Sequence, residues 1–295
     1  MMRNIDSINH KNAGAMLLEA ADADDPLFIK QAFARGFAAD AKAIDEGGMT
    51  PLIVTAIMGH LRCAKLLLPV SDVGAKDHNG STALLYAAMM ARPKMVELLL
   101  PHSDAGARGP GGCSALMNAA EHGDNRSVRL LLPASDANAV DDRGHSALML
   151  AARGGRHECV KLLLPVCDPR LVSDEGKSAL MLAAATGSGP CVEALLPFSD
   201  ATAQDHYGWT ALRFAIATFN AASADALAQH DPDAPEALRA VELFGRESMP
   251  RWFATTEARE LREAAGLPLP QPGRMAPQRT PPESTTKARG HASRL

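Results

Sequence analysis

Ten histidines, five cysteines and thirty-four carboxylates give this chain every residue type that catalysis or metal binding uses. Their spacing decides whether they can act together. No Cys or His pair shows the short ligand spacing of a zinc site. His78 and His206 share a phase of the sequence pattern but lie 128 residues apart. Gly109-Pro110-Gly111-Gly112 is a glycine-rich loop, yet the Lys-Ser/Thr pair that a phosphate loop requires does not follow it. Cys113, Ser114 and His122 hold a nucleophile and a base within ten residues. Ser114, however, stands where a helix N-cap is expected, and Cys113 at a variable turn position. Asp141-Asp142 reads as a turn rather than a catalytic carboxylate pair. We expect no catalytic residue, no metal ligand and no cofactor site.

What would have to position such groups is a repeat. Gly48, Gly80, Gly112, Gly144, Gly176 and Gly208 recur every 32 residues without a slip. Pro69, Pro101, Pro133, Pro165 and Pro197 keep the same period, as do Asp72, Asp104, Asp136, Asp168 and Asp200. A fixed period of this size marks stacked units rather than one closed core.

Each unit reads as two short helices and an extended turn. The Gly supplies a tight turn. Two residues on, Thr50, Thr82, Ser114, Ser146, Ser178 or Thr210 provides a hydroxyl N-cap. Leu52, Leu84, Leu116, Leu148, Leu180 and Leu212 then open an apolar stripe. Ala56, Ala88, Ala120, Ala152 and Ala184 lie four residues further on the same face, small enough to admit a neighbouring helix. Ile216 breaks that set. Gly59, Gly123, Gly155 and Gly187 are expected to close the first helix, with Ala91 and Asn220 as departures. A second helix carries a leucine run such as Leu162 to Leu164, and the following Pro is expected to stop it. One helix pair cannot bury both its faces alone, so the units must stack.

These residues resemble the ankyrin repeat. The match is G-x-T-P-L in Gly48 to Leu52, A-x-x-G in Ala56 to Gly59, the leucine run, and D-x-x-A in Asp72 to Ala75. Six units show it, from about 45 to 220, after a degenerate unit. The resemblance implies an all-α fold, an ankyrin-type α-solenoid of about seven stacked helix-turn-helix repeats. The chain departs from the family's 33-residue period by one residue. It also lacks the family's His after Thr-Pro-Leu, where it has Ile53, Leu85, Met117, Met149, Met181 and Arg213. The hydrogen bonds of that His are lost, and the apolar replacements should pack instead.

The expected organisation is an arm at 1–12, a degenerate N-terminal capping repeat at 13–44 and six repeats at 45–230. A helical C-terminal cap follows at 231–266, with a disordered Pro-rich tail at 267–295. That tail carries five basic residues against Glu283, so it is +4 and the rest of the chain −8. With a total of −4, a general affinity for nucleic acid is not expected. No window reaches ~18 consecutive apolar residues, so no membrane-spanning helix is expected. Met1 to Asp25 lacks the apolar core of a secretory leader, which makes the cytoplasm the expected compartment. Cys63, Cys159 and Cys191 share one phase of the second helix and read as small buried hydrophobes. Neighbouring helices at ~8–10 Å would hold Cys159 and Cys191 too far apart for a disulfide.

Positions that vary from unit to unit while the scaffold stays fixed mark the surface open to a partner. The family resemblance implies that partners meet the turn tips and the exposed face of the first helix. On this chain those positions include Met58, Met89, Met90, His122, His145, Arg153, Tyr207 and Trp209. Met58, Met89 and Met90, with Ile57, form an adaptable apolar patch. Tyr207 and Trp209 are aromatic anchor types. The expected function is a non-catalytic protein-protein interaction scaffold, monomeric, presenting a rigid concave surface to a protein partner. An enzyme subunit, an inhibitor or effector working through the repeat surface, and an assembly role through the end caps remain open alternatives.

Overall fold

A computed structural model describes residues 5–9, 11–218 and 220–230. The segments read as C-terminal cap and tail, 231–266 and 267–295, lie outside the described residues. Among the described residues the chain forms helix pairs and no strand. The first helices of the pairs are α1 (Ala13–Asp22), α3 (Pro51–Met58), α5 (Ala83–Met89), α7 (Ala115–His122), α9 (Ala147–Arg153), α11 (Ala179–Thr186) and α13 (Ala211–Ala217). The second helices are α2 (Pro26–Ala34), α4 (Leu61–Leu67), α6 (Pro93–Leu99), α8 (Asn125–Leu131), α10 (His157–Leu163), α12 (Gly189–Leu195) and α14 (Ala221–Ala228).

The N-caps form at the expected hydroxyls. Ser114 Oγ accepts from the Met117 amide at 3.3 Å, and Thr50, Thr82, Ser146, Ser178 and Thr210 do the same three residues ahead. Asp25 caps α2 by accepting from the Phe28 amide at 2.9 Å. Asn220, expected to depart from the helix-closing glycine, is instead the N-cap of α14 and accepts from the Ser223 amide. The proline stop is also softer than expected. Pro101, Pro133 and Pro197 each sit inside a single 3₁₀ turn that continues from the second helix. Proline lacks the amide for another α-type bond, so the chain tightens before it leaves. A 3₁₀ helix at Phe37–Lys42, which the periodicity did not signal, packs on α1 and α2.

First helices stack on first helices, and second helices on second. Ala56, Ala88, Ala120, Ala152 and Ala184 are all fully buried in the first row. Their size lets backbones approach, and the first row packs more tightly than the second. Leu52, Leu84, Leu116, Leu148, Leu180 and Leu212 are buried in the core. Each contributes about 1.5–3 kcal/mol through burial. Where the family has its His, Ile53, Leu85, Met117, Met149 and Met181 are buried as expected, whereas Arg213 turns outward and donates to the Gly208 carbonyl at 3.0 Å.

The turn tips are joined by backbone hydrogen bonds between units. The amides of His78, Asp142, Asp174 and His206 donate to the carbonyls of Gly47, Gly111, Arg143 and Glu175, at 2.9–3.0 Å. Pro110 occupies the same position in its unit and has no amide to give. There the tip folds into a 3₁₀ turn, Pro110–Gly112, and the ladder is interrupted.

Candidate protein-binding surface

Every tip but the one at Pro110–Gly112 is pinned by one side chain at its base. Asp77 Oδ1 accepts from the amides of Asn79 and Ser81 at 3.0 and 2.8 Å. Asp141 does so for Arg143 and His145, and Asp205 for Tyr207 and Trp209. Ser173 plays the part with its hydroxyl. Gly109 has no side chain for it, which accounts for the altered tip there. Burial works against the charge of Asp141, yet the His145 and Arg143 amides and the His145 ring hold its carboxyl below the usual range. At Asp77 burial is likewise outweighed, by the Tyr86 hydroxyl and the Ser81 and Asn79 amides. These carboxylates are structural acceptors, fully engaged by their own turns.

The expected contact residues divide in this geometry. Met58 and Met90 occupy equivalent ends of the neighbouring helices α3 and α5, 43% and 40% exposed. His122 is exposed at the same place on α7, its Nδ1 2.9 Å from the Asn118 carbonyl. Met89 is half-buried beside Met90. Arg153 on α9 reaches across to α7 and pairs with Glu121 at 2.7 Å, with both groups half-exposed. Packing of α3, α5, α7 and α9 in one row sets Met58, Met89, Met90, His122 and Arg153 at corresponding ends of neighbouring helices. Tyr207 is 59% exposed, at the tip of a later unit.

Two residues are corrected. Trp209 is buried, only 3% exposed, and its ring lies tilted against Phe214 with centroids 5.1 Å apart. The turn folds this large ring back onto α13, and Lys177 Nζ closes over Phe214 at 5.6 Å. His145 is also largely withdrawn. Its Nδ1 lies 3.2 Å from Asp141 Oδ2, and its side chain is 12% exposed. It braces its own tip rather than facing outward.

Tyr86 was missed by sequence reasoning. It sits half-buried on α5, and its hydroxyl donates to Asp77 Oδ2 at 2.6 Å. The signal was present, because Val54, Tyr86, Asn118, Leu150, Leu182 and Phe214 vary at one repeat position.

A paired-helix unit, a hydroxyl-capped first helix and a pinned tip recur in register along the stack. A family model described as ankyrin repeats (3 copies) matches residues 17–109, 94–171, 116–197 and 163–236. The chain belongs to the ankyrin repeat family. No curated protein matches it. Ankyrin repeats are generally protein-protein interaction modules, and proteins built from them are typically non-enzymatic binding proteins. In this ankyrin repeat chain no group of three or more His, Cys, Asp or Glu is arranged for a metal ion among the described residues. Also among them, no helix is long and apolar enough to cross a membrane. The cysteines are free. Cys63, Cys159 and Cys191 are fully buried, and burial pushes the thiols of Cys63 and Cys159 up to about 12 and about 11. Cys159 Sγ donates to Asn125 Oδ1 at 3.0 Å, the role of a packed polar-tipped hydrophobe.

Proposed function

We propose that this protein is a non-catalytic scaffold whose concave face holds a protein partner. The observation that carries the reading is the pair Met58 and Met90. Two long apolar side chains stand exposed at equivalent positions of packed helices, and the fold does not require them there. Met89, His122 and Arg153 extend the patch, and Tyr207 offers a second anchor at the tips. Methionine repacks readily against varied partners. The capped, stacked helices hold these groups in place before binding, so little ordering cost remains. The protein works as a cytoplasmic monomer in this reading. The six units at 45–230 form the binding region, the unit at 13–44 closes one end, and 231–266 closes the other.

The test begins with affinity capture from the native host and identification of what is retained. A purified partner is then titrated against the wild type and against a variant changed at Met58, Met89, Met90, His122 and Arg153. Binding should weaken at least tenfold with the melting temperature unchanged. Normal affinity in that variant would move the interface off the concave face.

A further inference from the structure

Charge is segregated along the outer row of second helices. α2, α4, α6 and α8 carry Lys30, Arg62, Lys65, Lys94, Arg126 and Arg129 against one carboxylate, Glu97. α10, α12 and α14 carry one lysine, Lys161, against Glu158, Glu193 and Asp225. All six cations of the first group are exposed.

Burial fixes their register. Arg62, Lys94 and Arg126 each precede a fully or nearly fully buried residue, Cys63, Met95 or Ser127, so they form one column across three helices. Lys30, Lys65 and Arg129 each follow a buried residue, Ile29, Ala64 or Val128, and make a second column one turn away, interrupted by Glu97. The four helices pack in sequence. At ~8–10 Å per helix the cationic face runs about 30 Å.

The fold does not ask for these charges. Arg62, Lys94 and Arg126 are the second residues of their helices, where the helix dipole disfavours a cation. The same position in α10 holds Glu158, the sign that the dipole favours. Nor, with one exception, do the cations serve internal ion pairs. Arg126 binds Glu97 at 2.7 Å, but Lys30, Arg62, Lys65, Lys94 and Arg129 pair with no carboxylate among the described residues.

We propose that the outer face of α2, α4, α6 and α8 is a second docking surface, occupied by an acidic polypeptide segment lying across the four helices. The charge distribution selects that occupant. The face is +5 in a chain of net −4, so the rest of the protein carries −9. A nucleic acid or an anionic membrane extends its charge beyond the face and meets that negative remainder. A short acidic segment ends where the cations end. An extended segment of about nine or ten residues spans the face. Its carboxylates suit the forked guanidiniums of Arg62 and Arg129. Such exposed pairs weaken as salt rises.

The experiment measures fluorescence anisotropy of fluorescein-labelled deca-glutamate against the full chain at about 50 mM salt, well below the ionic strength that screens such pairs. Saturable, salt-sensitive binding is expected. The combined variant Arg62→Glu, Lys65→Glu, Lys94→Glu should bind at least about tenfold more weakly. Glutamate at positions 62 and 94 suits the helix dipole, so the fold should hold, and a melt checks it. Should that variant unfold, the Gln substitutions at the same three positions are read instead, with a smaller but clear loss expected. Met58→Ser with Met90→Ser should leave deca-glutamate binding unchanged, which separates this surface from the concave one. Three results would overturn the proposal. The peptide fails to bind, the folded charge variant binds it as tightly as wild type, or an oligonucleotide of equal charge or phosphatidylserine vesicles bind more tightly than the peptide.

Discussion

Arg156 occupies the space that a side chain on Gly123 would need. A Cβ at Gly123 would lie 2.7 Å from Arg156 Cδ, and Arg156 Nε donates to the Glu121 carbonyl at 3.1 Å. The next unit therefore closes over the end of α7, and a side chain at position 123 would have to displace Arg156. Gly123 also adopts φ +81°, which adds a second, independent requirement. Gly123→Ala should cost about 1–2 kcal/mol from backbone strain alone. Urea unfolding of the full chain measures it, and a cost near zero would mean that the turn has an unstrained alternative.

The same repeat position supplies the opposite experiment. Ala91 takes φ +50° one unit earlier, in a conformation its neighbours give to glycine. Ala91→Gly relieves that strain and loses some backbone entropy, so a gain of up to about 1 kcal/mol is expected. Opposite signs for Gly123→Ala and Ala91→Gly, measured in the same urea series, would show that one conformational demand runs through the stack. A loss of stability in Ala91→Gly would refute it.

Acid should loosen the tips before it unfolds the helices. Asp77 and Asp141 have carboxyls held below their usual range, because amide and hydroxyl donors outweigh the burial that opposes their charge. A depressed folded pKa contributes stability that is present above the unfolded value of about 3.9 and is lost as pH falls through the folded one. Urea midpoints should therefore drop between about pH 5 and pH 3. The double variant Asp77→Asn, Asp141→Asn should be less stable at pH 7 and show a flatter drop. An unchanged slope would mean that other carboxylates control acid stability.

The architecture was legible because it is written six times. The N-caps, the buried leucines and the packed alanines follow from residue type and a 32-residue period, and each copy checks the others. Orientation at the variable positions was not legible. Trp209 and Met90 both stand outside the scaffold pattern, yet one folds inward over Phe214 and the other faces solvent. Periodicity says that such a position is free of the scaffold's demands, not which way its side chain turns. Tyr86 was missed for a related reason, since its bond to Asp77 depends on a tip and a helix that only the folded unit brings together.

Thiol chemistry offers a direct reading of burial. Cys63, Cys159, Cys167 and Cys191 are buried, and Cys113 is half-exposed. Burial raises all five thiols, with the carboxylates of Asp141 and Glu121 adding to the effect at Cys113. Iodoacetamide should modify Cys113 alone in the native protein, faster as pH rises, and all five thiols in urea. Mass spectrometry of the digested protein locates the label. Native labelling at Cys159 would show that the second-helix row opens more readily than its packing implies.

The last comparison sets a core side chain against the surface patch. Leu148 is fully buried in α9, between α7 and α11, so truncation leaves a cavity that neither neighbour can fill without breaking register. Leu148→Ala should cost about 2–5 kcal/mol. Met58→Ser with Met90→Ser removes about twice as many apolar atoms, but from positions that already face water. That change should stay within about 1 kcal/mol. Thermal melts and urea titrations of both variants give the two values on one scale. A small cost at the methionines would mean that the fold tolerates their loss, as expected of residues kept for a partner. A cost matching Leu148→Ala would place them in the core, and the concave interface would then have to rest on His122, Arg153 and Tyr207.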